Sequence, residues 1–277
     1  MTSPSLPNIR ILASSSLVTH EDADPRRVTR LADRISQDGL LKHPPVVAAI
    51  PDSDKYVVLD GANRVTALKT LNVPHLIVQI VSYSAPGIQL DTWYHVVAGM
   101  PLEQFENELA QIPEITLRIC SLEDAREALS TNNATAYIIT AENIRMIRHK
   151  NGTSRDLGLL SKLVATYKGK AEIYRRSNDL WEEQAQYHPD ITALIVFPKI
   201  TPADVINAAR HGERIPTGIT RHIISPRALN LNIPFELLNR ADWTLERKQA
   251  WLENWLMERV AAHGVRLYTE STFSFDE

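Results

Sequence analysis

The sequence predicts a mixed α/β protein, and two observations carry that prediction. Over roughly the first 80 residues, short apolar runs typical of strands alternate with turns and with apolar positions at helical spacing. The same strand-helix-strand rhythm returns more loosely between residues 101 and 140. The chain has 277 residues, 44% of them hydrophobic and 23% charged, so it can bury a sizeable core.

The first elements are predicted as follows. Residues 26–37 form an amphipathic helix in which Val28, Leu31 and Ile35 recur at spacings of three and four, and Gly39 ends that helix. Residues 65–71 form a second helix on the same grounds. The apolar runs around these helices predict strands at 9–17, 46–50, 56–59 and 75–81.

The later part of the chain has weaker patterns. The clearest element is a helix that Thr201 caps, that Pro202 and Asp204 begin, and that Gly212 ends. The other predicted helices lie at 101–112, 122–130, twice within 157–185 around a break at Lys168-Gly169-Lys170, and at 243–262. The predicted strands lie at 115–119, 136–140 and 194–197. The change of pattern near residue 90 predicts one α/β domain at 9–90 and a second, smaller α/β domain at 91–277 that includes the C-terminal helix.

The turn Asp60-Gly61-Ala62-Asn63-Arg64, between a strand and a helix, carries the clearest chemistry. Glycine lets the backbone approach a ligand closely, and the free N–H groups of a helix's first turn favour an anion such as phosphate. Arg64 adds a guanidinium and Asn63 a neutral donor. From the residues alone, a capped surface turn is the better explanation of this segment.

A resemblance narrows the choice. Residues 11–81 resemble the ParB/sulfiredoxin-like domain in the 26–37 helix, in Asp38-Gly39-Leu40-Leu41-Lys42-His43-Pro44-Pro45, and in the strand-turn-helix at 56–68. In that superfamily the equivalent turn binds nucleotide phosphates. This chain lacks the second arginine of the partition proteins and the cysteine of the sulfiredoxins, and it has an aspartate before the glycine.

Glu21 and Asp60, 39 residues apart, make the chain similar to the free-serine kinases of this fold. The resemblance implies phosphorylation of free L-serine to O-phospho-L-serine, with ATP or ADP as donor and Mg²⁺ as cofactor. It implies that Glu21 is the base facing the serine hydroxyl. It implies that Asp60 positions that hydroxyl or the Mg²⁺ ion.

The same resemblance suggests further site residues. Lys42, His43, Gly61, Ala62, Asn63 and Arg64 are expected to contact the nucleotide phosphates. The segments 90–95 and 216–222 resemble parts of the serine site, so the expected serine contacts are Trp93, Thr217, Gly218, Thr220, Arg221 and His222. Without the resemblance, Trp93 reads as a core residue and 217–222 as a turn followed by a strand edge.

Two other functions stay open at this point. One is a ParB-like regulator that binds DNA; against it stand the net charge of −3 and the lack of a clear helix-turn-helix pattern between residues 90 and 200. The basic run Arg145, Arg148, His149, Lys150 and Arg155 is either a DNA contact or a solvated face. The other is a nucleotide-binding scaffold without activity.

The remaining expectations concern location and assembly. No apolar run reaches the ~18 residues of a membrane span, so we expect a cytoplasmic protein without a membrane partner. The single cysteine, Cys120, excludes an internal disulfide. The tryptophan-rich helix at 243–262 is either a homodimer face or part of the core.

Overall fold

The computed structural model describes residues 6–152 and 156–268. Within these residues the chain is a mixed α/β protein, so the predicted fold class is confirmed. Arg155 of the basic run lies outside the described residues. None of the helices in the described ranges is both long and apolar enough to cross a membrane.

The first sheet carries the turn of interest. It contains, in spatial order, β1 (Asn8–Ala13), β6 (His75–Val81), β4 (Val46–Ala49), β5 (Tyr56–Asp60) and β2 (Leu17–Thr19). The predicted strand at 9–17 is therefore two strands, because a short 3-10 turn at Ser14–Ser16 separates them. The pairs β2–β5 and β4–β6 are parallel, and the other two are antiparallel.

Two helices pack together beside this sheet, α1 (Pro25–Asp38) and α2 (Ala62–Thr70). The Asp24 side chain caps α1 by accepting from the N–H groups of Arg26 and Arg27. Helix α2 begins at Ala62, three residues earlier than predicted. Its cap is Gly61, whose positive φ of 91° turns the chain directly from β5 into the helix.

The second sheet has six strands in the described residues, more than the small layer that the sequence predicts. Their spatial order is β12 (Glu172–Arg176), β8 (Tyr94–Ala98), β13 (Ile191–Val196), β10 (Ala136–Ile139), β11 (Ile144–His149) and β9 (Ile115–Ile119). The sequence missed β8, β11 and β12. Strands β11 and β12 are rich in charged residues, which hides their strand pattern, and β8 is a short strand that includes the polar residue His95.

The remaining elements surround these sheets. Two short strand pairs are β7 (Ile88–Thr92) with β14 (Thr220–Ile224), and β3 (Leu40–Leu41) with β15 (Ile233–Pro234). The other helices are α3 (Leu102–Ala110), α4 (Leu122–Ser130), α5 (Leu157–Ala165), α6 (Trp181–Tyr187), α7 (Pro202–His211), α8 (Phe235–Asn239) and α9 (Leu245–Ala261). The predicted capping box of Thr201 and Asp204 is present at the start of α7.

The hydrophobic cores do not follow the predicted division at residue 90. On β5, Val57 and Leu59 face a core shared with the second sheet, whereas Val58 faces the opposite side. The core on that opposite side includes Leu252 of α9, and α9 lies against β1. The C-terminal helix therefore packs on the first sheet, where its apolar face covers β1. The boundary itself stays a prediction.

Candidate active site

Glu21 and Asp60 lie at the same end of two neighbouring parallel strands. In the ladder of β2 and β5, Leu17 pairs with Tyr56 and Thr19 pairs with Val58, so partners are 39 residues apart. Glu21 follows Thr19 by two residues and Asp60 follows Val58 by two. The separation noted in the sequence is thus the register of this ladder, and it brings the two carboxylates to one edge of the sheet.

The Glu21 carboxylate is held against the protein. The backbone N–H of Gly218 donates to Glu21 Oε2 at 3.3 Å. Burial raises the pKa of Glu21, the Gly218 hydrogen bond and the nearby cations Arg175 and Lys168 act to lower it, and the charge of Asp60 raises it further. The effect of Asp60 on the pKa of Glu21 shows that the two carboxylates are electrostatic neighbours.

The loop 215–218 runs alongside Glu21. Ile215 donates its N–H to the carbonyl oxygen of His20 at 2.8 Å, and Ile215 forms a parallel bridge with Glu21. The Thr217 hydroxyl donates to the carbonyl oxygen of Asp22 at 2.7 Å. These bonds fix the loop to the segment that carries Glu21.

Gly218, the last residue of this loop, makes hydrogen bonds with both its N–H and its carbonyl oxygen. Its N–H bonds Glu21, and its carbonyl oxygen accepts from His95 Nε2 at 3.0 Å. His95 Nδ1 in turn accepts from the hydroxyl of buried Tyr167 at 2.8 Å. Burial lowers the pKa of His95 to about 4, so the ring is neutral at neutral pH and keeps this donor-acceptor pattern.

Two further neutral histidines, His20 and His222, pack against each other near Glu21. His20 Nδ1 donates to the carbonyl oxygen of Val58 at 2.8 Å, which leaves Nε2 to accept from the Thr220 hydroxyl at 3.1 Å. The rings of His20 and His222 are 5.4 Å apart, edge to face, and His222 Nε2 bonds the Tyr83 hydroxyl at 2.5 Å. Burial lowers the pKa of His20 to about 4 and that of His222 to about 3. Thr220 and His222, both predicted as serine contacts, thus make hydrogen bonds within the protein here.

Asp60 faces two arginines. Its Oδ2 lies 3.5 Å from Arg64 Nη2 and forms an ion pair with Arg227. Arg227 is held from both sides by the buried side chain of Gln79, which donates to the carbonyl oxygen of Pro226 (2.9 Å) and accepts from the N–H of Ala228 (2.8 Å). The Asp60 carboxylate therefore has two cationic neighbours.

The turn after Asp60 is built into its surroundings. Asn63 Oδ1 accepts from the N–H of Asp24 at 2.8 Å and so joins the starts of α1 and α2. Arg64, 13% exposed at its side chain, donates to the carbonyl oxygens of His43 (2.9 Å) and Pro44 (3.3 Å). Ala62 is buried in the first turn of α2. Arg64 thus supports the 43–45 loop as well as facing Asp60.

Lys42 and His43, both predicted to contact the nucleotide phosphates, lie at the start of that loop. Lys42 Nζ forms an ion pair with Asp38 at 2.9 Å, and His43 Nδ1 accepts from the N–H of Asn230 at 3.1 Å. Gly61 packs against the loop as well, since a Cβ there would lie 3.2 Å from Pro45. The loop and the α2 N-terminus therefore form one wall.

Trp93 and Arg221 are neighbours at residues 216–222, the segment called here the late loop. The Trp93 N–H donates to the carbonyl oxygen of Ile219 at 2.7 Å, and the Arg221 guanidinium lies 4.2 Å from the centre of the Trp93 ring. Arg221 also pairs with Asp91 at 3.6 Å, its partner in the β7–β14 register. The two predicted residues are neighbours, and Arg221 already has an acidic partner.

Sequence reasoning missed three cations of the site, Lys168, Arg175 and Arg227. Lys168 and Arg175 act electrostatically on Glu21, and Arg227 pairs with Asp60. Arg175 was hidden because its segment was predicted as helical. The β-branched Ile173 and the aromatic Tyr174, which follow soon after Gly169, were the signal for a turn and a strand.

Comparisons with known proteins show which enzymes this chain is similar to. The chain is 25% identical, over 280 aligned positions that cover 98% of both chains, to the ATP-dependent L-serine kinase SbnI of Staphylococcus aureus. It is 28% identical over 231 residues to an ATP-dependent L-serine kinase of Staphylothermus marinus, covering 80% of this chain and 88% of the relative. It is 22% identical over 223 residues to the ADP-dependent L-serine kinase SerK of Thermococcus kodakarensis, covering 79% and 88%. No family model matches the chain.

Solved structures agree on the fold. A C-terminally truncated SbnI from Staphylococcus aureus superposes with a TM-score of 0.73 at 21% identity, covering 91% of this chain and 97% of that one. A free serine kinase in complex with AMP superposes with a TM-score of 0.72 at 17% identity, covering 84% and 95%.

The chain thus has the α/β fold of the free serine kinases. The resemblance to this enzyme class, predicted from Glu21, Asp60 and the late loop, is confirmed by relatives that match over most of the chain.

Proposed function

We propose that this protein phosphorylates free L-serine to O-phospho-L-serine with an adenine nucleotide as donor. The observation that carries the proposal is the placement of Glu21 and Asp60 at the same end of the parallel strands β2 and β5, where α2 begins. Relatives named as ATP- or ADP-dependent L-serine kinases support it.

In this proposal Glu21 is the general base. Its carboxylate accepts the proton of the serine hydroxyl while the serine oxygen forms a bond to the terminal phosphorus of the nucleotide. The bond from that phosphorus to the bridging oxygen breaks, and the shortened nucleotide leaves with the bond electrons. A raised pKa suits the task, because a base works best when its pKa lies near the operating pH.

The nucleotide phosphates are proposed to lie at the start of α2. The N–H groups of the first helical turn, in Gly61, Ala62 and Asn63, point toward that end of the helix, where the dipole favours an anion. Arg64 and Arg227, already beside Asp60, supply positive charge for the transferred group. Lys42 and His43 stand on the adjoining loop.

The residues present fit a Mg²⁺ ion of the type that phosphates and waters hold with one or two carboxylates. Asp60, with its side chain 34% exposed, would hold it, and the ion would supply positive charge to the phosphates. Among residues 6–152 and 156–268, no group of three acidic, histidine or cysteine side chains could enclose a metal alone.

The serine is proposed to lie between Glu21 and the late loop. Trp93 forms a wall, Gly218 and Thr217 fix the loop, and Thr220 and Arg221 stand on the strand that follows. His222 supports that strand through Tyr83.

The test is an assay of purified protein with L-serine, Mg²⁺ and, in parallel, ATP, ADP or CTP, with phosphoserine measured by mass spectrometry. We expect phosphoserine with an adenine nucleotide, and loss of product when the metal is chelated. Nucleotide consumption that does not depend on serine, or no product with any donor, would contradict the proposal.

A further inference from the structure

Arg175 and His95 lie opposite each other on two adjacent strands, and both side chains contact Gly218. Strand β12 pairs antiparallel with β8, and Arg175 and His95 are direct partners in that register, so their side chains share one face of the sheet. His95 bonds the carbonyl oxygen of Gly218. The Arg175 guanidinium lies so close that a Cβ on Gly218 would be 2.8 Å from both Nε and Nη2. Only glycine leaves room for this contact.

The guanidinium stands beside the proposed base. Gly218, which lies next to the Arg175 guanidinium, donates its N–H to Glu21. The positive charge of Arg175 also acts electrostatically on the Glu21 carboxylate. Arg175 is exposed, and in the described ranges no carboxylate forms an ion pair with it. Arg221, by contrast, is paired with Asp91 and stacked on Trp93. Within the described residues, the Arg175 guanidinium near Glu21 therefore has no ion-pair partner.

The chemistry of a free amino acid calls for such a group. In serine, two carbon atoms separate the hydroxyl oxygen from the carboxylate carbon. A cation that binds the carboxylate must therefore lie close to the base that faces the hydroxyl. A planar guanidinium can bind a carboxylate with two parallel hydrogen bonds, which also fixes the orientation of the amino acid.

We propose that Arg175 binds the carboxylate of the amino-acid substrate and restricts the enzyme to free serine. This inference rests on the proposed function and adds a specificity-determining residue to it. Amino alcohols without a carboxylate lack the group that Arg175 binds, and a serine inside a peptide presents a neutral amide there.

The test compares L-serine with ethanolamine and L-serinamide, which lack the carboxylate. For Arg175→Gln we expect kcat/KM for L-serine to fall about 10- to 100-fold, as for a lost charge-assisted hydrogen bond, with less than about 3-fold change for the other two. Arg175→Lys keeps the charge and should lose less. An equal fall for all three substrates would overturn the inference, because Arg175 would then act on the phosphates or on Glu21. An unchanged value for L-serine would overturn it too.

Arg176→Gln is the matched control. Arg176 is the next residue on β12, and its guanidinium bonds Gln184 Oε1 (2.8 Å) and His188 Nε2 (2.9 Å), away from Gly218. We expect its substrate preference to equal that of the natural protein. A loss of serine preference in this control would show that the strand, and not the Arg175 head group, determines specificity.

Failure of the proposed function can be told apart from failure of this inference. If the natural protein forms no phosphoserine, the function is wrong, and calorimetric titration with L-serine then tests the carboxylate site alone. Binding that is about tenfold weaker in Arg175→Gln supports the site. Equal binding by both proteins, or none by either, overturns it.

Discussion

Replacing Gly218 with alanine tests the geometry around Glu21 most sharply. Gly218 has a φ of 87°, its N–H bonds Glu21, and the Arg175 guanidinium covers its Cα. A methyl group there meets two separate costs. The first is the left-handed backbone, about 1–2 kcal/mol for a residue with a Cβ. The second is a contact of 2.8 Å where ordinary packing begins at 3.4 Å.

The two costs affect different measured quantities, the Tm and kcat/KM. Arg175 is exposed and flexible, so it moves aside at little expense in folding free energy. The loss of stability therefore stays close to the backbone term, a fall in Tm of about 2–8 °C. The guanidinium, however, retreats by more than half an ångström. Misplacement of about 1 Å can cost on the order of 100-fold in rate, so we expect kcat/KM for serine to fall about 10- to 100-fold.

The assay pairs thermal unfolding with steady-state kinetics, and Gly212→Ala is the control. Gly212 ends α7 with a φ of 74°, and a Cβ there meets nothing within 4 Å. It bears the backbone cost alone, so we expect a similar fall in Tm and unchanged kinetics. If Gly218→Ala loses stability like Gly212→Ala but keeps its kcat/KM, the contact with Arg175 has no part in the reaction.

Two further predictions concern the carboxylates. Glu21→Gln should lower kcat by about 10²- to 10⁴-fold, as for loss of a general base. Because burial raises the pKa of Glu21 in the folded state, ionisation destabilises the fold above that pKa, and the penalty is absent below the ordinary pKa of an unfolded glutamate. Glu21→Gln should therefore raise Tm near pH 8 and leave it unchanged near pH 4 (about the ordinary pKa), and a stabilisation that is equal at both would contradict burial as its cause. Arg227→Gln removes the ion-pair partner of Asp60, and we expect ADP to bind about tenfold more weakly by calorimetry, with L-serine binding unchanged; unaltered ADP affinity would show that Arg227 serves Asp60 only.

The local parts of the fold were predictable because their causes are local. Helix α7 has its capping box, its early proline and its terminal glycine within eleven residues of one another, and the structure has all three. The turn after Asp60 was likewise visible, because an Asp-Gly pair after an apolar run has few alternatives.

The proximity of Glu21 and Asp60 could not be predicted from local sequence patterns. Their separation is a ladder offset, yet it has that meaning only once β2 and β5 are known to be parallel neighbours. Without the family resemblance, Glu21 was one acid among several in a polar loop. Its significance depends on pairing between distant segments, which local patterns do not contain.

The cations of the site were beyond local reasoning for the same reason. Arg175 lies on an edge strand whose charged residues suit a helix surface equally well, and only pairing with β8 brings it to Gly218. Arg64 shows the converse. The sequence predicted that Arg64 contacts phosphate. In the structure Arg64 also donates hydrogen bonds to the carbonyl oxygens of His43 and Pro44, a role that depends on how the 43–45 loop folds back.

The most direct test of the kinase centre is transfer of labelled terminal phosphate from the adenine nucleotide to L-serine, with L-alanine as the substrate that lacks the hydroxyl. We expect labelled phosphoserine from the natural protein, none with L-alanine, and a loss of about 10²-fold or more in Glu21→Gln. Label transfer at an undiminished rate by folded Glu21→Gln would contradict the central claim that the carboxylate beside Asp60 activates the serine hydroxyl.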